Sequence, residues 1–328
     1  MKYFAGIDIG GTNISTGIVD ENFKIVGKGK IKTGIGRSYE EVIVDILETV
    51  RLAAADAKVD MEDIKSIGVG CPGTCNTETG IVEYSNNLRW NNAPLVADIE
   101  KAFGKKTYFD NDANVAAYGE YLAGAAKGAK NAIVITLGTG VGAGIIINGR
   151  IFSGSNFAGG EIGHTVIVVD GYECSCGRKG CFEAYSSATG LIRMTREAAE
   201  ANPQSKICQL VEADGKISAR TAFNAAKMLD DVGQAVVDRY IKHLACGIAN
   251  TINIFQPDIL CIGGGVCNEG DNLLVPLKKQ VAESIYSKNS AKNTEICICK
   301  LGNDAGIIGA AMLGKMNEGN IFKTVFGM

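Results

Sequence analysis

Two short apolar runs flank a glycine-rich turn near the start of the chain. The first run extends from Tyr3 to Ile9, the turn is Gly10-Gly11-Thr12-Asn13, and the second run extends from Ser15 to Val19. Apolar runs of this length, separated by glycines, predict a β-hairpin. Because glycine allows positive φ and a close backbone approach, the turn is either a phosphate-binding loop or an ordinary glycine-rich hairpin.

The same pattern returns about 128 residues later along the chain. Ala132 to Leu137 predicts a strand, Gly138-Thr139-Gly140 a turn, and Ala143 to Ile147 a second strand. Repetition of strand, turn and strand indicates a duplicated domain, with two phosphate loops facing one cleft.

A third glycine cluster follows another apolar strand. The helical run from Asp231 to Ile254 leads into Ile259–Ile262, which ends at Gly263-Gly264-Gly265. Open α/β sheets bind ligands at the carboxyl ends of their strands, where glycine lets a flat adenine or ribose approach the backbone. This cluster is therefore a candidate nucleotide site.

The remaining pattern predicts further alternation of helices and strands. Apolar residues on one face predict a helix over Tyr39–Lys58, with Ser38 as its N-cap. The other predicted elements are strands at Ile67–Gly70, Lys106–Phe109 and Glu295–Leu301 and helices from about Asn114 to Ala126 and from Asp304 to Lys315. Asp110-Asn111-Asp112 then lies at a strand-to-helix junction, as a turn and helix cap or as a catalytic group.

Length and composition favour a two-lobed α/β protein. The chain has 328 residues, of which 46% are hydrophobic, with 42 glycines and only five prolines. This length suits two domains that each bury a core, and the glycines suit tight turns and ligand loops.

Charge and hydropathy exclude several classes of partner. The formal net charge is −3, and the chain has no basic run, so we expect no nucleic-acid partner. The most apolar stretch, Ile133 to Ile147, is broken by glycines, and the N-terminal residues do not resemble a signal peptide. We therefore expect no membrane partner and a cytoplasmic protein with reduced thiols.

One of only two histidines lies close to three cysteines. His164, Cys174, Cys176 and Cys181 occur within one short segment. Three thiolates and an imidazole at this spacing are typical of a structural zinc site. The alternatives are a disulfide, which the odd total of 11 cysteines disfavours, or unrelated thiols near a core histidine.

Together these motifs resemble those of the ROK family of sugar kinases. The resemblance covers nearly the whole chain and rests on DIGGTN, LGTGVGAG, the late GGGV and CSCGRKGC; GCFEAYSSATGLIR and NPQSK are most similar to bacterial ROK glucokinases. It implies an α/β, actin-like (ribonuclease H-like) ATPase fold with two lobes around a central cleft. The implied small lobe is 1–118 plus about 302–328, and the implied large lobe, with the zinc loop, is 119–301.

The resemblance also assigns the catalytic base and the sugar contacts. Asp112 takes the position of the family's catalytic aspartate, and a carboxylate there would accept the proton of the attacking hydroxyl. Asn111 would hold an adjacent hydroxyl. The other implied sugar contacts are Gly73, Asn87, Glu161, His164 and Glu183. Which of Asn86 and Asn87 faces the sugar stays open, and a glutamate without the resemblance would be expected to be solvated.

His164 would serve both metal and sugar, one ring nitrogen on zinc and the other donating to a hydroxyl. On this hypothesis the zinc is structural, and its loss disorders the sugar site before it affects nucleotide binding. The other histidine, His243, receives no function.

The implied cofactors are ATP and Mg²⁺. Backbone N–H groups, Thr12, Thr139 and Mg²⁺ would neutralise the transferring phosphoryl group. Asp8 would organise the Mg²⁺ through water, or it caps its own hairpin as a buried carboxylate. The residues assigned to the nucleotide and its metal are Asp8, Gly10, Gly11, Thr12, Asn13, Gly138, Thr139, Gly140, Gly263, Gly264 and Gly265.

The predicted reaction is ATP-dependent phosphorylation of the 6-hydroxyl of a hexose, with glucose favoured by resemblance alone. N-acetylmannosamine, N-acetylglucosamine, allose and fructose are alternative substrates. A sugar-responsive repressor would need an N-terminal helix-turn-helix, for which a strand beginning at residue 3 leaves no room. An actin-like filament or chaperone ATPase would lack the zinc loop. A homodimer is the family expectation.

Overall fold

The computed structural model describes residues 1–34 and 36–317 as an α/β fold with two compact units. Unit 1 contains Met1–Val134, Gly144–Gly160 and the chain from Cys299 onward; unit 2 contains Ile135–Ala143 and Glu161–Ile298. The lobe boundaries expected near residues 118 and 302 stay a prediction.

Unit 1 is built on a five-stranded mixed sheet in the order β3-β2-β1-β4-β8. The first three strands form an antiparallel meander, whereas β4 and β8 run parallel to β1. The five strands are β1 (Tyr3–Ile9), β2 (Asn13–Asp20), β3 (Ile25–Lys32), β4 (Ile64–Cys71) and β8 (Thr107–Asn111). The parallel strands β1, β4 and β8 bring Asp8, Gly70 and Asp110 to matching positions along the sheet.

A second, antiparallel sheet in unit 1 has the order β5-β6-β7. Its strands are β5 (Thr74–Asn76), β6 (Ile81–Ser85) and β7 (Trp90–Ala93). Cys75, Val82 and Trp90 are buried in the same apolar cluster as the core of the large sheet, so the two sheets share one core.

The helices of unit 1 begin where the local sequence supplies caps. Helix α1 begins at Tyr39 because Ser38 and Glu41 form a capping box: each side chain accepts a hydrogen bond from the other residue's backbone N–H. The predicted helix is thus confirmed, as is its buried face, which includes Val42, Ile46 and Val50. The helices are α1 (Tyr39–Ala57), α2 (Leu95–Phe103), α3 (Asp112–Ala123) and α10 (Asp304–Asn317).

Helix α3 corrects one sequence prediction. It begins at Asp112 rather than near Asn114, because the Asn111 side chain caps it by accepting from the backbone N–H groups of Ala113 and Asn114. Asp112 is therefore a first-turn helical residue, where a carboxylate is favoured by the partial positive charge of the helix N-terminus.

Helix α10 returns to unit 1 and packs against both the sheet and α3 without intervening side chains. A Cβ atom on Gly68 of β4 would overlap the carbonyl oxygen of Ala310, and one on Gly309 would overlap that of Val115. Only glycine permits backbone contact this close. The C-terminal helix therefore fixes the spacing between α3 and the sheet.

A buried carboxylate holds the segment that leads into α10. Glu120 of α3 is 1% exposed, and it accepts hydrogen bonds from the backbone N–H groups of Ala125, Lys300 and Leu301 at 2.7–3.1 Å. An anion with three N–H donors is well satisfied despite its burial.

A third sheet has the order β11-β10-β9-β12-β13, and the division of the chain into two units falls after Val134 in β9 and after Ala143 in β10. Its strands are β9 (Ala132–Leu137), β10 (Val141–Ile147), β11 (Arg150–Ile151), β12 (Ile259–Gly263) and β13 (Glu295–Ile298). The helices of unit 2 are α4 (Phe182–Ser186), α5 (Ala188–Ala201), α6 (Lys206–Asp214), α7 (Thr221–Lys227), α8 (Asp231–Phe255) and α9 (Asp271–Ser284). Strand β13 ends at Ile298, earlier than the predicted Leu301. Among the described residues, no helix combines the length and apolar composition that crossing a bilayer requires.

We predict that Glu120→Gln lowers the free energy of unfolding by about 3 kcal/mol, because the amide cannot accept at both terminal atoms and leaves buried N–H groups without a partner. Calorimetric melting of the purified variant measures the effect. The control is Glu62→Gln, since the Glu62 side chain is 97% exposed and its loss should change stability by less than about 0.5 kcal/mol. Equal melting temperatures for the two variants would contradict the anchoring role of Glu120.

Candidate functional site

In unit 1, the first glycine turn joins β1 to β2 and is held by a residue that the sequence did not single out. Gly10 N–H donates to the Asn13 carbonyl at 2.9 Å, and the buried Thr33 hydroxyl donates to the Gly10 carbonyl at 2.6 Å. Thr33 N–H also donates to the Thr12 carbonyl. The turn is thus fixed through its carbonyl groups, while Gly11 and Thr12 are exposed.

The expected positive φ at this turn is wrong. Among the described residues with positive φ, neither Gly10 nor Gly11 occurs, because the turn closes through the Gly10 to Asn13 hydrogen bond in ordinary backbone geometry. A Cβ on Gly11 would meet no atom within 4 Å. Glycine at residue 11 leaves the surface of the turn open to a bulky group.

Asp8 lies at the end of β1, and its carboxyl group contacts the first turn of α10. A Cβ on Gly306 would lie 2.8 Å from the Asp8 carboxyl carbon. Burial, with a smaller contribution from the negative charge of Asp112, raises the pKa of Asp8 to about 6. Asp8 and Asp112 therefore form an acidic pair, which a divalent cation would stabilise.

The Asp110-Asn111-Asp112 triplet divides into three separate roles. Asp110 is 5% exposed and accepts from Asn111 N–H, the Asn114 amide and the Ser153 hydroxyl. Burial raises its pKa, and these hydrogen bonds oppose the rise. Asp110 is thus structural.

Asn111 caps α3 with its oxygen, and its amide nitrogen donates to the Gly73 carbonyl at 3.1 Å. That nitrogen carries a second hydrogen, which is the group through which Asn111 could hold a ligand hydroxyl. The Asp112 carboxylate accepts from Ala113 N–H at 3.0 Å. The cap, β8 and Gly73 together position the first turn of α3.

Gly73 requires glycine for two reasons. Its φ is +116°, and a Cβ there would overlap the carbonyl oxygen of Tyr84. The neighbouring β6–β7 hairpin carries Asn86 and Asn87, both exposed. The Asn86 oxygen accepts from the Tyr84 hydroxyl at 3.2 Å, whereas the Asn87 amide makes no hydrogen bond within the described residues. This difference favours Asn87 as the asparagine available to a ligand.

In unit 2, the second glycine turn is held by the start of α5. Ala188 N–H donates to the Gly138 carbonyl at 2.8 Å, and the Thr189 hydroxyl donates to the Thr139 carbonyl at 2.8 Å. Gly264, with φ of +93°, lies so close that a Cβ would overlap the Leu137 carbonyl oxygen. The second and third glycine clusters are therefore adjacent within unit 2; their role in binding a nucleotide stays a prediction.

Glu183, in the short helix α4, contacts the same glycine turn. Its Oε2 accepts from Val141 N–H at 2.9 Å, and a Cβ on Gly140 would overlap that oxygen. Its Oε1 lies 3.3 Å from the Ser175 hydroxyl and 3.6 Å from the Cys174 sulfur. Glu183, expected to contact a sugar, thus also links two loops of the protein.

The four predicted metal ligands converge in unit 2. The candidate donor atoms of His164, Cys174, Cys176 and Cys181 lie within 4.8 Å of one another. His164 Nδ1 is 3.6 Å from the Cys174 sulfur, and the sulfurs of Cys176 and Cys181 are 3.7 Å apart. Tetrahedral zinc, with Zn–S of about 2.3 Å and Zn–N of about 2.0 Å, places a nitrogen and a sulfur ligand about 3.5 Å apart and two sulfur ligands about 3.8 Å apart, close to the distances found here.

A disulfide does not fit this cluster, because its sulfurs would be about 2.05 Å apart and all 11 cysteines are free. Burial raises the pKa of Cys181 to about 12, so a thiolate there needs a nearby cation. The donor set and its spacing therefore fit a zinc ion.

Glu161 precedes the short helical turn that carries His164. It is exposed, and its Oε2 is 4.0 Å from His164 Nε2, the ring nitrogen that faces away from Cys174. His164 can thus offer Nδ1 to a metal and Nε2 to a ligand, as predicted. His243 instead stacks on Tyr185 with ring centroids 4.5 Å apart.

Sequence reasoning missed Thr33, Ser153, Ser175 and Thr189, whose hydroxyls hold the turns and carboxylates described above. Lone Ser and Thr residues carry no recognisable spacing, because their partners are distant in sequence. Only the chain path through each unit brings them into contact.

Comparison with known proteins identifies the family. A family model described as "ROK family" matches residues 4–317. Glucokinases of Halalkalibacterium halodurans and Thermotoga maritima are each 37% identical to the chain; the first aligns over 98% of both chains, the second over 96% of this chain and 98% of its own.

The structure of a ROK family glucokinase from Streptomyces griseus in complex with glucose and AMPPNP covers 95% of this chain and 98% of its own, with a TM-score of 0.80 and 32% identity. The fold is thus the actin-like ATPase fold of ROK sugar kinases. This chain belongs to the ROK family, which confirms the resemblance found in its sequence.

We predict that Asp8→Asn stabilises the Mg²⁺-free protein more at pH 7.5 than at pH 5. A carboxyl group whose pKa is raised on folding makes the folded state less stable as the pH rises. The loss occurs between the pKa of the unfolded state, 3.8, and that of the folded state, about 6. The amide removes this cost, so the gain over wild type should be about 1–2 kcal/mol larger at pH 7.5. Thermal melts of both proteins at each pH give the comparison; an identical gain at both pH values would be evidence against a buried, ionising Asp8.

Proposed function

We propose that this ROK protein is an ATP-dependent glucokinase that transfers the γ-phosphoryl group to the 6-hydroxyl of glucose, with Asp112 as general base. The observation that carries the proposal is the similarity to glucokinases over nearly the full length of the chain. The similar glucokinase from Streptomyces griseus has a structure in complex with glucose and AMPPNP. Asp112, in the first turn of α3, supplies the carboxylate that such a reaction needs.

Asp112 acts on the attacking hydroxyl. Its carboxylate accepts a hydrogen bond from the 6-hydroxyl and orients the oxygen toward the γ-phosphorus. It takes the proton as the new P–O bond forms and the bond from the γ-phosphorus to the bridging oxygen breaks, releasing ADP. The position of Asp112 in the first turn of α3 supports this role, since the partial positive charge of a helix N-terminus favours a carboxylate there.

The proposed sugar contacts are those that the family resemblance implies. The remaining amide hydrogen of Asn111 donates to a hydroxyl, and Gly73 and Asn87 are further contacts. The carboxylates of Glu161 and Glu183 accept from vicinal hydroxyls, and Nε2 of His164 can donate to one. The half-buried setting of Glu183 and His164 supports a specific role rather than solvated decoration.

The glycine turns bind the nucleotide in this proposal. Exposed backbone around Gly11 and Thr12 receives phosphate oxygens, as does Thr139 of the second turn, and Gly263–Gly265 lies against the adenosine. Asp8 would help to hold Mg²⁺, because a hard cation prefers oxygen ligands and would offset the repulsion between Asp8 and Asp112. The Mg²⁺ supplies charge neutralisation of the phosphates.

Zinc is a structural ion in this proposal, held by His164, Cys174, Cys176 and Cys181. Four protein ligands leave no open position for substrate, so the ion contributes stability of the loop and no step of the reaction. The protein acts in the cytoplasm as a homodimer, in line with its expected reduced thiols and with the family.

We predict that glucose gives the highest kcat/KM in a coupled ADP-release assay with ATP, at least about tenfold above its C2-acetamido analogue, because a pocket shaped for a hydroxyl rejects a larger group. Mannose, N-acetylmannosamine, allose and fructose complete the panel, and 6-deoxyglucose serves as the control that binds without reacting. Binding can be followed through Trp90, the sole tryptophan. Absence of turnover on every sugar would remove the kinase assignment and leave a sugar-binding regulator.

We predict that Asp112→Asn lowers kcat by about 10²–10⁴-fold while glucose and nucleotide affinities change little, because the amide keeps the shape but cannot take the proton. Affinities are measured by Trp90 fluorescence and by calorimetry. The matched control is Asp271→Asn, an exposed first-turn aspartate of α9, which should retain full activity. Near-normal turnover of Asp112→Asn would reassign the base.

A further inference from the structure

One continuous segment of unit 2 joins the metal cluster to the second glycine turn. It begins at Cys181, a predicted metal ligand and the N-cap of α4, and ends at Thr189 in the first turn of α5. Three hydrogen bonds join this segment to the turn and to the strand that follows it. Glu183 accepts from Val141 N–H, Ala188 N–H donates to the Gly138 carbonyl, and the Thr189 hydroxyl donates to the Thr139 carbonyl. The turn has little freedom to move independently of the segment.

The metal side of the segment is equally constrained. Phe182 N–H donates to the Thr165 carbonyl at 2.8 Å, directly after His164, and Cys181 pairs with Val166 in an isolated antiparallel bridge. Ser175, between two predicted metal ligands, lies 3.3 Å from Glu183 Oε1. A metal ion that fixes Cys174 and Cys176 therefore fixes the hydroxyl that faces Glu183.

Glu183 is the point where both sides meet. One carboxylate oxygen accepts from the glycine turn and the other faces the metal loop, so a shift of either loop changes the hydrogen bonding of a single planar group. The absence of a side chain at Gly140 allows the carboxylate to lie directly against the turn.

We propose that Ser175 and Glu183 are positioning residues that couple the metal cluster thermodynamically to nucleotide binding at the Gly138–Gly140 turn. This inference rests on the proposed function, since it takes zinc and ATP as the two ligands. It differs from the expectation drawn from sequence, in which zinc loss reaches the sugar site before the nucleotide. Coupling is reciprocal, so nucleotide tightens metal binding by the factor through which metal tightens nucleotide binding.

The experiment measures zinc affinity by equilibrium competition with a chromogenic chelator, using full-length protein without sugar, in the presence and absence of saturating Mg²⁺–AMPPNP. We expect AMPPNP to tighten zinc binding by about 5- to 100-fold in the wild type. Ser175→Ala and Glu183→Gln should bring this factor close to 1, whereas Ser175→Thr, which keeps the hydroxyl, should restore it. Calorimetric nucleotide affinity of the metal-free protein should show the same factor.

The matched control is Glu173→Gln, a glutamate of the same loop whose side chain is 85% exposed, which should leave the factor unchanged. If Glu183→Gln fails to fold, Ser175→Ala decides the outcome. A wild-type factor of 1 with both ligands bound overturns the coupling but leaves the proposed kinase intact, and an undiminished factor in Ser175→Ala overturns the assigned route. Failure of the wild type to bind zinc or AMPPNP overturns this inference together with the corresponding part of the proposed function.

Discussion

Direct backbone contact between α10 and its neighbours is the constraint on which unit 1 depends. Gly68 and Gly309 remove the side chains that would otherwise separate the helix from β4 and from α3. The same helix brings its first turn against Asp8, and Glu120 anchors the segment that precedes it. A residue about 300 positions away in sequence thus sets the surroundings of the end of β1, and the geometry of the acidic pair follows from packing density rather than from local propensity.

The acidic groups of unit 1 show how burial distinguishes structural carboxylates from candidate metal-binding and catalytic ones. Glu120 and Asp110 are almost fully buried, and each accepts three protein hydrogen bonds. Their bonding capacity is largely used by the protein itself. Asp8 and Asp112 are less completely buried, and the charge of Asp112 adds to the effect of burial in raising the pKa of Asp8. This pair therefore gains most from a cation and a proton-donating hydroxyl.

Unit 2 organises its site by a different device. One short segment, from Cys181 to Thr189, joins its Cys/His cluster to its second glycine turn. Hydrogen bonds from this segment hold backbone groups of the turn, and the Phe182 side chain anchors the segment by full burial. Such an arrangement responds to changes in a few polar contacts, which is the physical basis for expecting communication between metal and nucleotide.

Much of this protein was determined by sequence alone. Hydrophobic periodicity and glycine turns are local signals, and they predicted β1, β2, α1, β9 and β12. The type and spacing of the ligands, which are equally local, predicted the four-residue Cys/His cluster. Tertiary structure decided what local patterns cannot encode: that Asn111 caps α3, that Gly10 and Gly11 turn without positive φ, and that Glu183 bonds Val141. Each of these depends on which hydrogen-bond partner a backbone group finds in the folded chain. That partner is supplied by the folded path of the chain, often from residues far away in sequence.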